Sequence, residues 1–454
     1  MAAIRVPRLR SFVARAAQFA DGSSTPRAFL EDGLEIAARL EPEIRAFAYL
    51  DVEGARRQAD ASSARWRDNR ALSPIDGMPI GIKDIIETAD MPTGMGSPLF
   101  DGWRSNRDAA SVFALREAGA VIAGKTVTTE FAAAEPGPTR NPWDPARTPG
   151  GSSSGSAAAV GAGILAGALG TQVIGSIVRP AGYCGCVGFK PTLGALNRGG
   201  SHDYLSQSVL GTLGATLSDV WSLAVAIAQR SGGDPGHAPL SGPTAMPPAR
   251  PPRRLALLQT AGWGVASEGA RGELAKARAC FESAGAVVFD RSTSPGLDTL
   301  ECAIVEARRL SQAINAWESR WPLNTYAMRD RSKLSRTMTE RLAVSETMNI
   351  VEYSERLGER DRVRALYAKL AAECDACVTL SAPSAAPLGI GSTGDPVFAV
   401  PGSLLGVPAV SLPLLADEGL PLGLQVLGFA QRDADAFAVA RWCEETWLAA
   451  RPED

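Results

Sequence analysis

Histidine is almost absent from this sequence: its 454 residues include only two, His202 and His237. Both lie in stretches rich in glycine and serine, G-G-S-H-D and G-D-P-G-H, which are typical of solvated loops. A Ser–His–Asp triad needs a histidine that is held beside the nucleophile. The sequence therefore gives little support to chemistry that depends on a histidine base.

A strong charge of either sign is also missing. Lysine and arginine number 46 against 49 aspartates and glutamates, so the net charge is −3. A protein that binds nucleic acid usually carries a basic patch, and we expect no nucleic-acid partner. The 45% of hydrophobic and 21% of charged residues are ordinary for a globular protein.

Cysteines are few and odd in number. Seven in a chain of this length favour reduced thiols over a disulfide framework. Cys374 and Cys377 form a single C-x-x-C with no second pair of that spacing and no histidine nearby. We interpret them as buried structural thiols, since redox or metal sites need further ligands.

No hydrophobic run is long enough to span a membrane. The best candidate, Ala157 to Leu169, is too short and too rich in small residues. The first twenty residues hold four arginines and no acid, a pattern shared by transit peptides and by an arginine-rich first helix. Arg8, Arg10 and Arg15 interrupt the apolar residues, so no secretory signal forms. We expect a cytoplasmic protein with no membrane partner.

Residues 147–190, by contrast, are crowded with glycine, serine and alanine. Two serine-bearing glycine turns, 150–156 and 175–176, flank the apolar Ala157 to Leu169, which we predict to be a buried helix. Glycine allows chain segments to approach closely, so serines of the two turns could face each other. A serine hydroxyl becomes a good nucleophile only when a base removes its proton.

Lys83 is the other candidate base. It lies in I-D-G-M-P-I-G-I-K-D-I-I, which we predict to be a buried strand or strand end. Burial disfavours the charged form of lysine and lowers its pKa by up to about 3–5 units. The alternative is a lysine that extends from the strand end into solvent.

Several motifs in this sequence resemble those of the amidase signature family of serine hydrolases. They are P-I-G-I-K-D (79–84), G-K-T-V-T-T-E-F (124–131), T-R-N-P-W-D (139–144), P-G-G-S-S-S-G-S-A-A (149–158), G-S-I-V-R-P-A (175–181), C-G-C-V-G-F-K-P-T (184–192), S-T-G-D-P (392–396) and L-G-V-P-A-V-S-L-P (405–413). The family uses a Ser-Ser-Lys triad. By motif position, the resemblance implies Lys83 as base, Ser152 as bridging serine and Ser176 as nucleophile.

The resemblance also implies the fold: one large α/β domain with a central, mixed, twisted β-sheet covered by helices on both faces. We expect residues 1–454 to form this domain. Its expected parts are an N-terminal helical part (1–70), a signature core (75–230), a connector rich in proline and glycine (231–253) and the remainder of the sheet (254–454), with a helical insertion at about 298–373.

The activity implied by the resemblance is hydrolysis of a carboxylic amide through an acyl-enzyme, yielding a carboxylate and ammonia or an amine. Main-chain N–H groups of Val173, Ile174, Gly175 and Ser176 would bind the oxyanion. Ile174 departs from the family, which usually has glycine there. No metal or organic cofactor is needed, the substrate is a small-molecule amide, and a homodimer is possible.

Arg179 stands three residues after Ser176, as in a subgroup that includes malonamidase, where an arginine recognises a substrate carboxylate. We group it with Ser153 and Glu130 as candidate substrate-binding residues. The alternative is a structural arginine bound to Asp395, to Glu130 or to backbone carbonyls.

Other functions remain open. The chain could be the A subunit of a tRNA-dependent amidotransferase, which shares this chemistry. It could also be a P-loop nucleotide-binding protein or a non-catalytic protein. Residues 119–126 match the spacing of a nucleotide-binding P-loop, but A-V-I-A between the glycines is typical of a strand rather than a phosphate-binding loop. Residues 151–155 fit G-x-S-x-G around Ser153, but the preceding segment contains three prolines and does not predict a strand.

Local patterns predict further elements. The predicted helices are 26–48, Val52 to Trp66, Ala109 to Ala118, Ser218 to Gln229 and Glu268 to Ala284; the predicted strands are Ala120 to Ala123, ended by a turn at Gly124, Leu255 to Leu258, Ala286 to Phe289 and Cys377 to Leu380, with 394–395, 405–414 and 422–427 completing the sheet.

Overall fold

The computed structural model describes residues 7–133 and 135–451. Its centre is one sheet of eleven strands in the order β1-β3-β2-β4-β6-β5-β10-β11-β9-β7-β8. In chain order they are β1 Phe47–Leu50, β2 Pro79–Lys83, β3 Val121–Thr126, β4 Gly167–Gln172, β5 Val187–Lys190, β6 Val209–Gly214, β7 Arg254–Leu257, β8 Val287–Phe289, β9 Ala376–Leu380, β10 Ala409–Asp417 and β11 Leu420–Leu427.

The sheet is mixed. Strand β2 pairs in parallel with β3 and β4, and β7 pairs in parallel with β8 and β9, whereas the pairs between these two groups are antiparallel. Strand β5 joins the first half of the chain to the second, because it pairs with β10 through Lys190 opposite Ala409 and Gly188 opposite Ser411.

Helices surround the sheet. They are α1 Ala16–Ala20, α2 Pro26–Ile44, α3 Val52–Arg67, α4 Ala110–Glu117, α5 Ser154–Gly161, α6 Val178–Cys184, α7 Leu217–Ser231, α8 Glu268–Ser283, α9 Pro295–Ile304, α10 Ala307–Asp330, α11 Arg336–Thr347, α12 Ile350–Lys369, α13 Val400–Leu405 and α14 Asp433–Ala449. None of these helices is long and apolar enough to cross a membrane.

Both faces of the sheet are buried, because alternate residues of a strand enter different cores. Ile122 of β3 packs in a cluster with residues of α4, α7, α8 and α14, whereas Val121 and Ala123 pack in another with α2, α3 and α5. In β7, Leu255 joins the first cluster and Ala256 a third, formed with α9, α10 and α12. The expected α/β fold with helices on both faces is confirmed.

Several predicted helices begin where their caps indicate. The side chain of Thr25 accepts from the N–H of Ala28 at the start of α2, and Asp51 accepts from Gly54 at the start of α3. Such a cap contributes about 0.5–2 kcal/mol. The predicted unit around Leu255 and Glu268 is observed as β7, α8 and β8.

Five predictions are wrong. The predicted helix 26–48 ends at Ile44, because Arg45 is left-handed, and residues 47–48 belong to β1. Residues 157–169 are not one helix: α5 ends at Gly161, Gly163 adopts a positive φ of 75°, and β4 begins at Gly167. Gly124 is not a turn but lies within β3. Residues 394–395 form no strand, and 405–408 precede β10, because Gly406 has left-handed geometry and ends α13. The local pattern failed at these glycines because long-range packing, rather than the neighbouring residues, selects their conformation.

Residues 1–6 of the arginine-rich segment lie outside the described residues, and α1 is a helix of only five residues. The predicted connector has no helix or strand from 232 to 253. Four helices, α9 to α12, occupy most of the predicted helical insertion.

Candidate active site

Lys83 ends β2 and is completely buried. Its Nζ donates to Ser152 Oγ at 2.7 Å and to Thr171 Oγ1 at 2.9 Å. Thr171 lies in β4, next to β2 in the sheet, so two neighbouring strands hold the amine in place. The expected alternative, a lysine extending into solvent, does not occur.

Burial lowers the pKa of Lys83 from 10.5 to about 7, and the negative charge of Asp203 opposes this shift. A lysine with this pKa is neutral in a large fraction of molecules near neutral pH. It can therefore accept a proton from the hydroxyl that it contacts.

Ser152 precedes α5, and its peptide bond with Gly151 is cis. The turn that carries it lies against the turn that carries Ser176, because the N–H of Ser153 donates to the Ser176 carbonyl at 3.3 Å. Gly150 has a positive φ of 82°, and a Cβ there would lie 2.8 Å from Cα of Pro180 in α6. Only glycine allows this close approach.

Ser176 lies just before α6 and is partly exposed. The loop around it is anchored by Gln172, whose Oε1 accepts from the N–H groups of Ile177 at 2.8 Å and Val178 at 3.0 Å. Ser176 and Ser152 both line a cavity of about 600 Å³, a size suited to a small molecule. No hydrogen bond joins the two hydroxyls within the described residues.

The predicted oxyanion loop lines the same cavity with all four residues, Val173 to Ser176. In the described part of the chain, no protein group accepts a hydrogen bond from their main-chain N–H groups. The carbonyl of Ile174 accepts from Ser403 Oγ at 3.0 Å, which orients this peptide. The isoleucine side chain packs against the cluster that contains α9 and α12.

Arg179 is 4% exposed and also lines the cavity. Its Nη2 donates to the carbonyl of Gly151 at 2.7 Å and to Thr393 Oγ1 at 2.9 Å, whereas its Nε has no partner among the described residues. Burial lowers the pKa of Arg179 to about 10, against the charges of Tyr183 and Asp395. Asp395 itself pairs with Arg308 at 3.1 Å.

Ser153 and Glu130, the other predicted substrate-binding residues, are not brought to the cavity wall. Ser153 is fully buried and donates to the Thr171 carbonyl at 3.3 Å. Glu130 Oε1 accepts from Ser97 Oγ at 3.3 Å and from the N–H of Ser335 at 3.4 Å. These contacts give no support to a substrate-binding role for either residue.

Residues 119–126, which match the spacing of a P-loop, contribute to the packed core of the sheet instead. Val121–Thr126 is strand β3, and Lys125 is buried, with its Nζ 3.0 Å from Asp84 and 2.7 Å from Thr93 Oγ1. A phosphate-binding loop needs free N–H groups and a following helix. Neither condition is met by a strand inside the sheet.

Sequence reasoning missed several residues of the cavity wall. His202 is not a solvated loop residue: its ring lies 2.9 Å from Glu87 and 2.9 Å from Tyr204, and it lines the cavity. Thr393 belongs to the S-T-G-D-P motif, which could have indicated its role. Asp203 and the α10 residues carry no local signal, because only folding brings them to the cavity.

The fold and the buried lysine–serine contact define an α/β enzyme. A family model described as Amidase matches residues 28–436, and the chain belongs to that family. It is an enzyme of the amidase family, whose reaction is amide hydrolysis.

Among curated relatives, the A subunit of glutamyl-tRNA(Gln) amidotransferase from Chloroflexus aurantiacus is 31% identical over 422 residues, which span 86% of each chain. The corresponding protein from Acidothermus cellulolyticus is 43% identical over 212 residues, but this match spans only 45% of this chain and 41% of that protein. The high identity is therefore confined to less than half of both proteins.

Solved structures match over nearly the full length. A crystal structure of an amidase has a TM-score of 0.82 at 29% identity and covers 98% of this chain and 100% of its own. Peptide amidase from Stenotrophomonas maltophilia has a TM-score of 0.77 at 25% identity and covers 98% of both chains.

Proposed function

We propose that this enzyme hydrolyses a carboxylic amide to a carboxylate and ammonia or an amine, with Ser176 as nucleophile, Ser152 as bridging serine and Lys83 as base. The observation that carries the proposal is the 2.7 Å contact between Lys83 Nζ and Ser152 Oγ, at a cavity that Ser176 also lines. We propose a cytoplasmic enzyme that acts on dissolved small molecules without nucleic acid, membrane or cofactor.

The proton path follows from this arrangement. Ser176 Oγ attacks the amide carbonyl, its proton passes to Ser152, and the Ser152 proton passes to neutral Lys83. The proton then returns through Ser152 to the leaving nitrogen, and the C–N bond breaks to leave an ester on Ser176. Water then attacks the ester carbonyl and gives its proton to the same relay. The ester bond breaks, and the proton returns to Ser176 Oγ, which restores the serine.

The negative charge on the tetrahedral oxygen needs donors. The main-chain N–H groups of residues 173–176 have no protein acceptor in the described chain and line the cavity, so they are available for this role. Because these donors belong to the backbone, the isoleucine at position 174 removes none of them. Each donor of this kind contributes about 10²–10³ in rate.

The hydrogen bonds of Arg179 help to define which class of amide the enzyme hydrolyses. Its bonds to Gly151 and Thr393 support the structural alternative. The N–H groups of Arg179 that remain for a substrate carboxylate are those of Nε and Nη1, because only Nη2 donates to groups of the described residues. The G-S-x-x-R-P-A motif, which resembles that of malonamidase, favours this use. A short acid monoamide would bind these N–H groups, whereas a fatty amide has no carboxylate to offer.

The second candidate function is that of an amidotransferase A subunit, which the names of the curated relatives favour. Such a subunit would release ammonia from an amide and supply it to partner proteins. The isolated chain is therefore the decisive sample: an independent amidase releases ammonia without partners.

The test is an ammonia-release screen of the purified chain over malonamate, aryl, fatty and peptide amides and glutamine, with Ser176→Ala as the blank. We expect release from at least one non-glutamine amide that the blank does not show. Release from glutamine alone, and only after amidotransferase partner subunits are added, would support the second candidate instead.

A further inference from the structure

Helix α10 presents one face to the active-site cavity. Before the kink at Trp321, the residues of α10 that line the cavity lie on one side of the helix: Arg308, Gln312, Asn315, Ala316 and Ser319. Beyond the kink, Pro322, Leu323 and Tyr326 also line it. Asn315 is only 2% exposed, and neither its Nδ2 nor its Oδ1 has a hydrogen-bond partner among the described residues. Within the described residues, the side chain of Asn315 therefore has neither an acceptor for its N–H groups nor a donor for its carbonyl oxygen.

Asp203 lines the same cavity from a different element, the loop before β6. It is 7% exposed, and its Oδ2 has no partner in the described chain. This loop packs on α10, because the N–H of Ser206 donates to Glu318 Oε2 at 2.8 Å. A buried carboxylate accepts hydrogen bonds and therefore needs a donor.

The surrounding charges restrict what that donor can be. Arg179 is a buried and Arg341 a half-buried guanidinium group of the cavity wall, and no carboxylate of the described residues forms an ion pair with either. Arg341 donates to Ser319 Oγ at 3.1 Å, and the charge of Asp203 acts on it. A cationic substrate would meet these two positive groups, so a neutral N–H is the better partner for Asp203.

We propose that the substrate carries, beside the amide that is cleaved, a second neutral –CO–NH– group whose N–H donates to Asp203 and whose carbonyl accepts from Asn315. In a trans amide these two groups point in opposite directions, which suits a donor and an acceptor that come from two elements. This inference rests on the proposed amidase function and names its substrate class. Asn315 is then a specificity-determining residue.

The alternatives leave the site unsatisfied. An alkyl amide would bury Asn315 and Asp203 without partners, and a site built for hydrogen bonds rejects such a substrate. An amide with a free ammonium group would meet Arg179 and Arg341. The acylamino group gives Asp203 a donor and Asn315 Nδ2 an acceptor without adding charge.

The test compares two primary amides of equal chain length, N-acetylglycinamide and pentanamide, which differ only in –CO–NH– against two methylenes. We expect kcat/KM of the wild type to favour N-acetylglycinamide by roughly ten- to a hundredfold. Asn315→Leu should remove most of this preference, because it lowers kcat/KM for N-acetylglycinamide far more than for pentanamide, which has no second carbonyl to accept from Asn315. Asn324→Leu, on the same helix but outside the cavity wall, is the matched control.

Equal kcat/KM for the two amides, or equal loss on both in a folded Asn315→Leu protein, would overturn the proposal. Calorimetric titration of Ser176→Ala with each amide separates it from the proposed reaction, since binding needs no catalysis. Tighter binding of N-acetylglycinamide, lost in Ser176→Ala/Asn315→Leu, supports the inference even if the wild type cleaves neither amide. Equal affinities, or no binding of either, would refute it.

Discussion

Lys83 is the residue on which the proposed reaction most depends, because it is buried, has a pKa of about 7 and contacts Ser152. In the proposed mechanism, Lys83, Ser152 and Ser176 form a single relay, so removing any one of them interrupts proton transfer. The rate then falls by more than the loss of one hydrogen bond would imply.

We expect Ser176→Ala to abolish amide hydrolysis, and Ser152→Ala and Lys83→Ala to lower kcat/KM by about 10²–10⁴-fold. Steady-state ammonia release measures the loss, and circular dichroism checks the fold. Ser154→Ala is the matched control, since this buried serine of the same turn bonds the Val127 carbonyl and not the relay. Full activity of a folded Lys83→Ala protein would refute the assignment.

The pH dependence should follow the same lysine. Because burial lowers the pKa of Lys83 to about 7 and only the neutral amine accepts a proton, kcat/KM should rise with pH through an ionisation near 7 and then level off. His202 also lines the cavity, so the His202→Gln profile is the control. A profile that stays flat from pH 5 to 9, or an ionisation that disappears in His202→Gln, would contradict a lysine base.

The role of Arg179 can be determined by comparing how its loss affects two substrates. If the N–H groups of Arg179 that have no partner among the described residues bind a substrate carboxylate, Arg179→Ala should lower kcat/KM for malonamate at least about tenfold more than for the neutral methyl ester of the same acid. If the arginine only holds Gly151 and Thr393, both substrates should lose activity equally. Parallel kinetics on the two substrates decide between the roles.

At the scale of secondary elements, the strands and helices are rigid supports with polar groups at their ends. Strands β2 and β4 hold Lys83 and Thr171 side by side, and Gln172, the last residue of β4, bonds the first N–H groups before and within α6. The nucleophile loop is therefore anchored at both ends by regular structure.

Strand β5 ends in a second buried lysine, Lys190, whose pKa burial lowers to about 7 although Asp433 opposes the shift. This folded-state pKa lies below the value of about 10.4 for an unfolded chain. Between these values the unfolded state binds the extra proton, so the stability of the wild type rises as pH rises. Removing the lysine removes this pH dependence.

We therefore expect Lys190→Met to stabilise the protein more at pH 7 than at pH 9, by a difference of about 2 kcal/mol in the free energy of unfolding. Urea unfolding at the two pH values measures it. Lys276→Met, at an exposed site on α8, is the control for loss of a lysine. The same gain at both pH values would contradict the lowered pKa of Lys190.

At the scale of the whole molecule, the two halves of the chain share one sheet. Strands β1 to β6 precede the 232–253 segment and β7 to β11 follow it, with β5 and β10 joining them. Thr192 also donates to Asp433 at 2.6 Å and Arg179 to Thr393 at 2.9 Å across this division. We infer that the segment connects parts of one unit rather than two independent domains.

A protease site inserted at the exposed residues 241–245 tests this inference. After cleavage, the two fragments should elute together at the mass of the intact protein in gel filtration and keep amidase activity, because the sheet and the shared core still join them. The uncut insertion variant is the control. Fragments that separate under native conditions would show that the halves are independent.

Much of the fold could be predicted from the sequence where the signal is local. The caps of α2 and α3, the β7–α8–β8 unit and the buried strand that carries Lys83 all follow from patterns a few residues long. The predictions at Gly124, 157–169 and 394–395 failed because glycine permits several conformations, and distant packing selects among them.

For the site, the motifs of the sequence indicated Lys83, Ser152 and Ser176, since residue types at those positions carry the family resemblance. The chain separation of the contacts, 69 residues between Lys83 and Ser152 and 214 between Arg179 and Thr393, means that no local pattern could show their geometry.

From the sequence alone, the resemblance of its motifs to the amidase signature family implied the α/β class and the residues of the proposed relay, and the scarcity of histidine argued against a histidine triad. Only the tertiary structure decided that Lys83 is buried and that Arg179 bonds the carbonyl of Gly151. It also decided that His202 lines the cavity, and that Asn315 and Asp203 line it with polar atoms that have no partner among the described residues. Burial and hydrogen-bond satisfaction depend on which distant segments pack together, and that is a property of the folded chain.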